Sequence, residues 1–257
     1  MEQVYTDLRD TARKIAAKYP EPDFYTAFSR SVEMSRDSFK SNRLLSNLRD
    51  IVSRYTNDNL GHGMGHARKV ALDAGTIAAA EAWNADYTRQ HTLDIILLAQ
   101  CAGLLHDMER RQENHAVKGA ATARQTLGRE SRLTDEEIDT IAFAIRNHEA
   151  FKPVATPGTL EMYIISGSLY DADKFRWGPD NFTHTLWHMI EPVHPPLSKL
   201  VQHYPGAMRH IAAIKSTFRT DVGRVYGPQF IDTGLAIGRE LLAVIKTRYA
   251  DYLDSNE

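Results

Sequence analysis

Leu93-Asp94-Ile95-Ile96-Leu97-Leu98-Ala99-Gln100-Cys101-Ala102-Gly103-Leu104-Leu105-His106-Asp107 is the stretch from which the rest of this chain is read. The apolar run Leu93–Leu105, interrupted by Asp94 and Gln100, falls well short of the roughly 20 residues a membrane span needs. It reads as a buried helix, about Thr92–Leu105, that delivers a histidine and an aspartate at its C-terminal end. The lone Cys101 lies inside that run, so it reads as core packing. It cannot form an intrachain disulfide, which fits a reducing compartment.

On the N-terminal side, Asn57, Asp58, Asn59, Gly61, Gly63 and Gly65 favour a loop over Thr56–Gly65, after which His66 opens a helix. Val70, Ala74, Ile77 and Ala78 recur at helical spacing on the face that His66 starts, which turns its imidazole toward the core. Residues 3–19 and 24–55 read as two amphipathic helices joined by a turn at Pro20-Glu21-Pro22. On the C-terminal side a helix is expected after His115, ending near Gly128 as its C′ glycine. Thr134 and Glu137 have the form of a capping box. The stripe Ile138, Ile141, Ala142, Ile145 then leads to His148. Pro153 and Pro157 mark a loop, and Leu160–Phe175 is again helical and brings up Asp173. The segment holding Pro179, Pro192, Pro195, Pro196 and Pro205 reads as irregular and aromatic-rich, before helices near 206–220 and 229–253. No segment alternates like a strand, so the expected fold class is all-α.

At 257 residues the chain can form one large domain with terminal elaborations. A formal net charge of −2 provides no global field for a nucleic-acid polymer or an anionic membrane, so phosphate recognition would have to be local. The start, Met1-Glu2-Gln3-Val4-Tyr5-Thr6-Asp7, lacks the basic and apolar regions of a secretory signal, and a cytoplasmic location is expected. A homo-oligomer remains open.

His66, His106, Asp107 and Asp173 supply two imidazole nitrogens and two carboxylates, a mixed set suited to Mn, Fe, Co, Ni or Zn. Each lies at or near a helix end, where side chains from several helices can converge, and a cation there would compensate both carboxylates. Taken singly each is weak evidence, since an inward histidine is more often a hydrogen-bonded core residue. The order and surroundings add to it: His62-Gly63-Met64-Gly65-His66-Ala67-Arg68-Lys69-Val70, then Leu104-Leu105-His106-Asp107, then Asp171-Ala172-Asp173-Lys174-Phe175.

This succession resembles the HD superfamily of metal-dependent phosphohydrolases over roughly residues 57–180. It looks closest to small bacterial HD hydrolases that include nucleotide pyrophosphatases, because Asn114-His115-Ala116, Ile145-Arg146-Asn147-His148 and Thr159-Leu160-Glu161 fall in their order. The resemblance implies an HD-domain helical bundle as the core of a single 1–257 domain, with additional N-terminal helices at 1–56 and a C-terminal extension at 181–257. It implies His66, His106, Asp107 and Asp173 as ligands of one divalent ion, Mn, Fe, Co, Ni, Zn or Mg. His115 and His148 are candidates for a second ion, against the alternative of a surface residue and a helix-terminal one. Asp173 is preferred to Asp171 because the family's ligand directly precedes a basic residue, here Lys174.

The implied activity is hydrolysis of a phosphoester or phosphoanhydride of a nucleotide or another small phosphorylated metabolite by a metal-activated water. Asp107 would anchor the metal of the nucleophile, with His62 and Glu109 as further catalytic candidates. Lys69, Arg110 and Lys174 are candidates for binding phosphate oxygens, whereas Arg111 and Lys118 read as solvated. A nucleobase could stack on Tyr170, Phe175, Trp177, Phe182 or Trp187, although core packing is the plainer reading. The chain departs from the subgroup between Val154 and Asp173 and again at Phe175-Arg176-Trp177-Gly178-Pro179, so the pocket walls are expected to differ. Two other readings stand beside the hydrolase: a mixed-valent di-iron oxygenase, which needs His115 and His148 to ligate, and a non-catalytic ligand-sensing module.

Overall fold

In the computed structural model, which describes residues 2–55 and 63–254, the run Leu93–Leu105 is helical and almost wholly buried. The helices are α1 (Glu2–Ala16), α2 (Asp23–Ala27), α3 (Ser29–Ser41), α4 (Arg43–Tyr55), α5 (Met64–Asn84), α6 (Arg89–Leu105), α7 (His115–Glu130) and α8 (Asp135–Arg146). They continue with α9 (Leu160–Phe175), α10 (Leu186–Ile190), α11 (Leu197–Ala213), α12 (Asp221–Arg248) and α13 (Ala250–Asp254). A π-helical turn, Asn181–Thr185, leads into α10, and a 3-10 turn, Ile214–Ser216, follows α11. No strand occurs among the described residues, and the fold is all-α.

Helices α5, α6 and α9 pack mutually, with α8 against α6 and α9, and α7 against α8. The α5–α6 contact is close because of two small residues. A Cβ added at Gly103 would stand 2.6 Å from the Ala71 Cα, so only glycine lets the backbones approach this far. Gly103 lies three residues before His106 and Ala71 five after His66, so this crossing brings the two histidines together. Helices α3 and α4 cover α5 and α6 from the N-terminal side, and α12 packs on α5 and α9 from the C-terminal side. Helix α1 crosses over to α12, and buried side chains from Val4 to Ile245 form one contiguous core.

Several sequence expectations hold at residue level. Leu160–Phe175 is helical at those bounds, the capping box Thr134/Glu137 is formed, and Cys101 is buried. Others need correction. The helix expected over 24–55 is three helices: Phe28, at φ −111° and ψ 31°, separates α2 from α3, and Asn42 adopts an extended backbone and its side-chain oxygen accepts from the Leu44 N–H at 2.9 Å, starting α4 afresh. Gly128 lies within α7, which runs on to Glu130 and ends at an extended Ser131.

The largest misreading concerns proline. Pro205 lies inside α11 and Pro228 inside α12, where breaks were expected. An interior proline removes a backbone donor and costs about 3 kcal/mol in an isolated helix. Packing offsets this here: Leu197, Tyr204 and Ile211 of α11 are buried, and the Tyr204 hydroxyl donates to the Gly238 carbonyl on α12 at 2.9 Å. Among the described residues no helix is long and apolar enough to cross a membrane.

Candidate metal centre

Three helix ends meet beneath an open cavity of about 490 Å³. His66 stands in the first turn of α5, His106 and Asp107 directly follow α6, and Asp173 lies in the last turn of α9. His66 Nε2 is 3.3 Å from His106 Nε2 and 3.3 Å from Asp173 Oδ1. Asp107 Oδ2 is 3.4 Å from His106 Nε2 and 3.9 Å from His66 Nε2, and His106 Nε2 is 3.8 Å from Asp173 Oδ1. All four side chains are at most 10 % exposed.

The other face of Asp107 meets the two further histidines. Its Oδ1 is 3.6 Å from His148 Nε2 and 3.9 Å from His115 Nε2. His148 lies two residues beyond α8 and His115 begins α7. The six residues that the sequence singles out as metal ligands are therefore one cluster, with Asp107 facing both halves.

Local chemistry sets which ring nitrogen is available. His106 Nδ1 is 2.8 Å from the Gly103 carbonyl and His148 Nδ1 is 2.6 Å from the Ile145 carbonyl. A carbonyl can only accept, so each Nδ1 carries a proton, and the ring's other nitrogen, Nε2, is the one turned inward. Both carbonyls lie three residues earlier, in the last helical turn, and that of Ile145 also accepts from the His148 N–H at 3.4 Å. One contact thus satisfies the helix end and orients the ring, the arrangement metal-ligating histidines use.

The donor set fits a cation. Atoms bound to one ion at 2.0–2.2 Å with tetrahedral geometry stand about 3.3–3.6 Å apart. The observed separations of 3.3 to 3.9 Å bracket that range. Groups drawn from His66, His106 and Asp173, and from His106, Asp107 and His148, could each hold a metal ion.

The electrostatics differ from group to group. Burial would raise the Asp173 carboxyl, but the Lys174 ammonium, 2.5 Å from its Oδ2, and the two imidazoles outweigh it and hold Asp173 well below the usual carboxylate range. Burial lowers His66, which favours the neutral, ligating form. Burial likewise pulls His106 down, but the neighbouring Asp107 carboxylate overrides it and the net direction is up. His115 is lowered by burial, then by His148 and Arg110.

The remaining candidates divide. Asp171, two residues before Asp173, is buried on the opposite side of α9. It accepts from the Arg219 N–H, the Thr220 N–H and the Thr220 hydroxyl at 2.7–2.8 Å, anchoring the start of α12. This role agrees with the preference for Asp173 as the ligand. Arg110 lines the cavity and donates to His115 Nε2 at 3.0 Å. Lys174 also lines it, with its ammonium committed to Asp173 and standing over the Tyr170 ring. Lys69 lies apart, paired with Asp180 at 2.7 Å in an adjoining cavity that shares His66 and Arg176. Arg111 and Lys118 are exposed.

Glu109 does not line the cavity: it turns toward α7 and accepts from the Thr122 hydroxyl at 2.9 Å. His62 lies outside the described residues. Four of the five proposed stacking rings, Tyr170, Phe175, Phe182 and Trp187, are buried core, and only Trp177 reaches the cavity.

Sequence reasoning did not assign Glu149, Arg176 or Asp73 to the site. Glu149 lines the cavity with a carboxylate oxygen 3.9 Å from His115 Nδ1. Arg176, also in the lining, is buried between Asp73, which it contacts directly, and Asp180 at 2.6 Å. A signal for this network existed: Asp73 is seven residues after His66, on the same helical face, and Arg176 is three after Asp173. Comparison with protein-family models, curated proteins and solved structures gives no match to this chain.

Proposed function

We propose that this chain is an HD-type, metal-dependent phosphohydrolase that cleaves a phosphoester or phosphoanhydride of a nucleotide or another small phosphorylated metabolite. The observation that carries the reading is the meeting of His66, His106, Asp107 and Asp173 at one end of an open cavity, the two imidazole nitrogens 3.3 Å from each other and 3.3–3.9 Å from an oxygen of each carboxylate. A bound divalent cation supplies Lewis-acid polarisation of a phosphoryl oxygen and acidification of water near neutral pH.

The chain's own groups do the rest. Lys174 keeps Asp173 ionised and oriented. Asp107 presents one oxygen to each histidine pair. Arg110 brings positive charge to the cavity that would receive the phosphoryl group, where charge on the transferring group must be stabilised. In the reaction the water oxygen bonds to phosphorus, the bond from phosphorus to the leaving oxygen breaks, and that oxygen takes a proton. Glu149, on the same wall and outside the ligand cluster, is a carboxylate placed to carry a proton.

The oxygenase reading needs His115 as a free ligand. The Arg110 guanidinium, which can only donate, already occupies its Nε2, and this favours the hydrolase.

The test is metal quantification on protein purified without chelator, followed by phosphate or pyrophosphate release from a panel of phosphorylated metabolites with several divalent ions. We expect at least one tightly held ion and metal-dependent release. Two irons with oxygen uptake and no phosphate release would overturn the reading. At metal concentrations about a hundredfold above Kd, loading should add about 2.7 kcal/mol of stability, read as a rise in Tm that chelator reverses.

A further inference from the structure

Resting on the phosphohydrolase reading for which group sits at the metal centre, the geometry points to a substrate whose other half is a planar ring, held by its faces against Trp177, His210 and Phe151.

The cavity has two unlike ends. Its floor carries the metal candidates and the cations. Its far wall is apolar and aromatic, with Phe151 from the loop after α8, Trp177 from the turn after α9, Met189 from α10 and His210 from α11. The His210 ring lies 5.4 Å from the Trp177 ring and 5.0 Å from the Phe151 ring, tilted by 54° and 47°. Three aromatic rings from three separate segments therefore adjoin one another beside the centre.

Two features single this wall out from ordinary packing. Phe151 is 52 % exposed and Met189 58 %, yet both face one cavity rather than being scattered over the surface. Phe151 also has a φ of 60°, a left-handed conformation that a bulky residue rarely adopts and that persists only when its surroundings impose it. The strained backbone carries the ring to His210.

The chemistry of the wall selects a class of ligand. A flat ring can lie against aromatic faces whatever its edge pattern, since every base has a π-face. The apolar residues Ala150, Leu186, Met189 and Ile211 line the cavity with these rings, and Glu149, Arg176, Asn181 and Thr185 are the polar side chains of the same lining next to them. Recognition of the ring's faces is accordingly by stacking. A cavity of about 490 Å³ is within the range that takes small ligands whole. The substrate class is a phosphate ester or anhydride of a ring-bearing alcohol, with weak discrimination among purines and pyrimidines and strong discrimination against the same molecule lacking its ring.

The test compares four compounds on full-length, Mn-loaded protein: AMP, UMP, ribose 5-phosphate and hexyl phosphate. Binding is read by quenching of tryptophan fluorescence and by calorimetry, and phosphate release is measured in parallel. AMP and UMP should bind within about tenfold of each other, and at least about tenfold tighter than the other two. Trp177→Ala and His210→Ala should each collapse the ratio of AMP to ribose 5-phosphate affinity, and Trp177→Phe should restore most of it. His210 is exposed, so loss of the ratio in His210→Ala cannot be ascribed to misfolding. Equal binding of ribose 5-phosphate, or of hexyl phosphate, overturns the inference, as does a ratio that survives both alanine variants. Ring-dependent binding with no release from any compound would count against hydrolysis of these esters and still support the ring wall, so the two readings fail separately.

Discussion

On the floor of the cavity, His106 and His148 each spend one ring nitrogen on the carbonyl three residues back, and Asp173 is tied to the lysine that follows it. On the wall, Phe151 is reached through a left-handed residue, Trp177 through a turn, Met189 through a five-residue helix and His210 through a helix with a proline inside it. The floor is made of short-range contacts at helix ends and is buried. The wall is made of loop and terminal elements and is largely open. The difference teaches that the histidines and aspartates can be oriented by their own neighbours in the chain, whereas the aromatic wall depends on segments brought from far away.

The sharpest way to break this contrast is at Asp107, the one residue facing both histidine pairs. Asp107→Ala should abolish bound metal and lower kcat/KM by roughly a thousandfold or more, while circular dichroism stays helical. Retained metal and turnover would remove the floor from the argument.

Gly103→Ala tests whether the floor depends on helix approach. The added methyl would meet the Ala71 backbone, and overpacking of this kind costs about 1–3 kcal/mol, with the upper end expected here because the obstacle is backbone. Chemical denaturation should show the loss, and metal titration should show weaker binding, because His66 and His106 flank that crossing.

A smaller effect separates the two aspartates of α9. Asp171→Ala should cost about 2 kcal/mol by leaving the Arg219 and Thr220 N–H groups without their acceptor, yet keep its metal. Asp173→Ala should lose the metal. Metal lost in both would show that the two carboxylates do not have separate roles.

The smallest is Thr134→Ala. Removing half of the capping box should cost about 1 kcal/mol in thermal denaturation, with metal content unchanged, because His148 lies at the other end of α8.

The sequence by itself determined the helical class, the burial of Leu93–Leu105, the bounds of α9, the cap of α8 and the six histidines and aspartates that the structure brings together. These are legible because helical periodicity, capping and the placement of a histidine at a helix end are local, set within a turn or two of chain. Tertiary structure alone decided the rest. The break at Asn42 hangs on whether its side chain caps a new helix, and the helices through Pro205 and Pro228 persist only because packing on neighbouring elements offsets the missing backbone donors. Glu109 faces away from the cavity because Thr122 of α7 holds it, and Glu149, Arg176 and the ring wall enter because α9, α10 and α11 close around the floor. Such outcomes rest on contacts between residues distant in the chain, whose free energy no local pattern records.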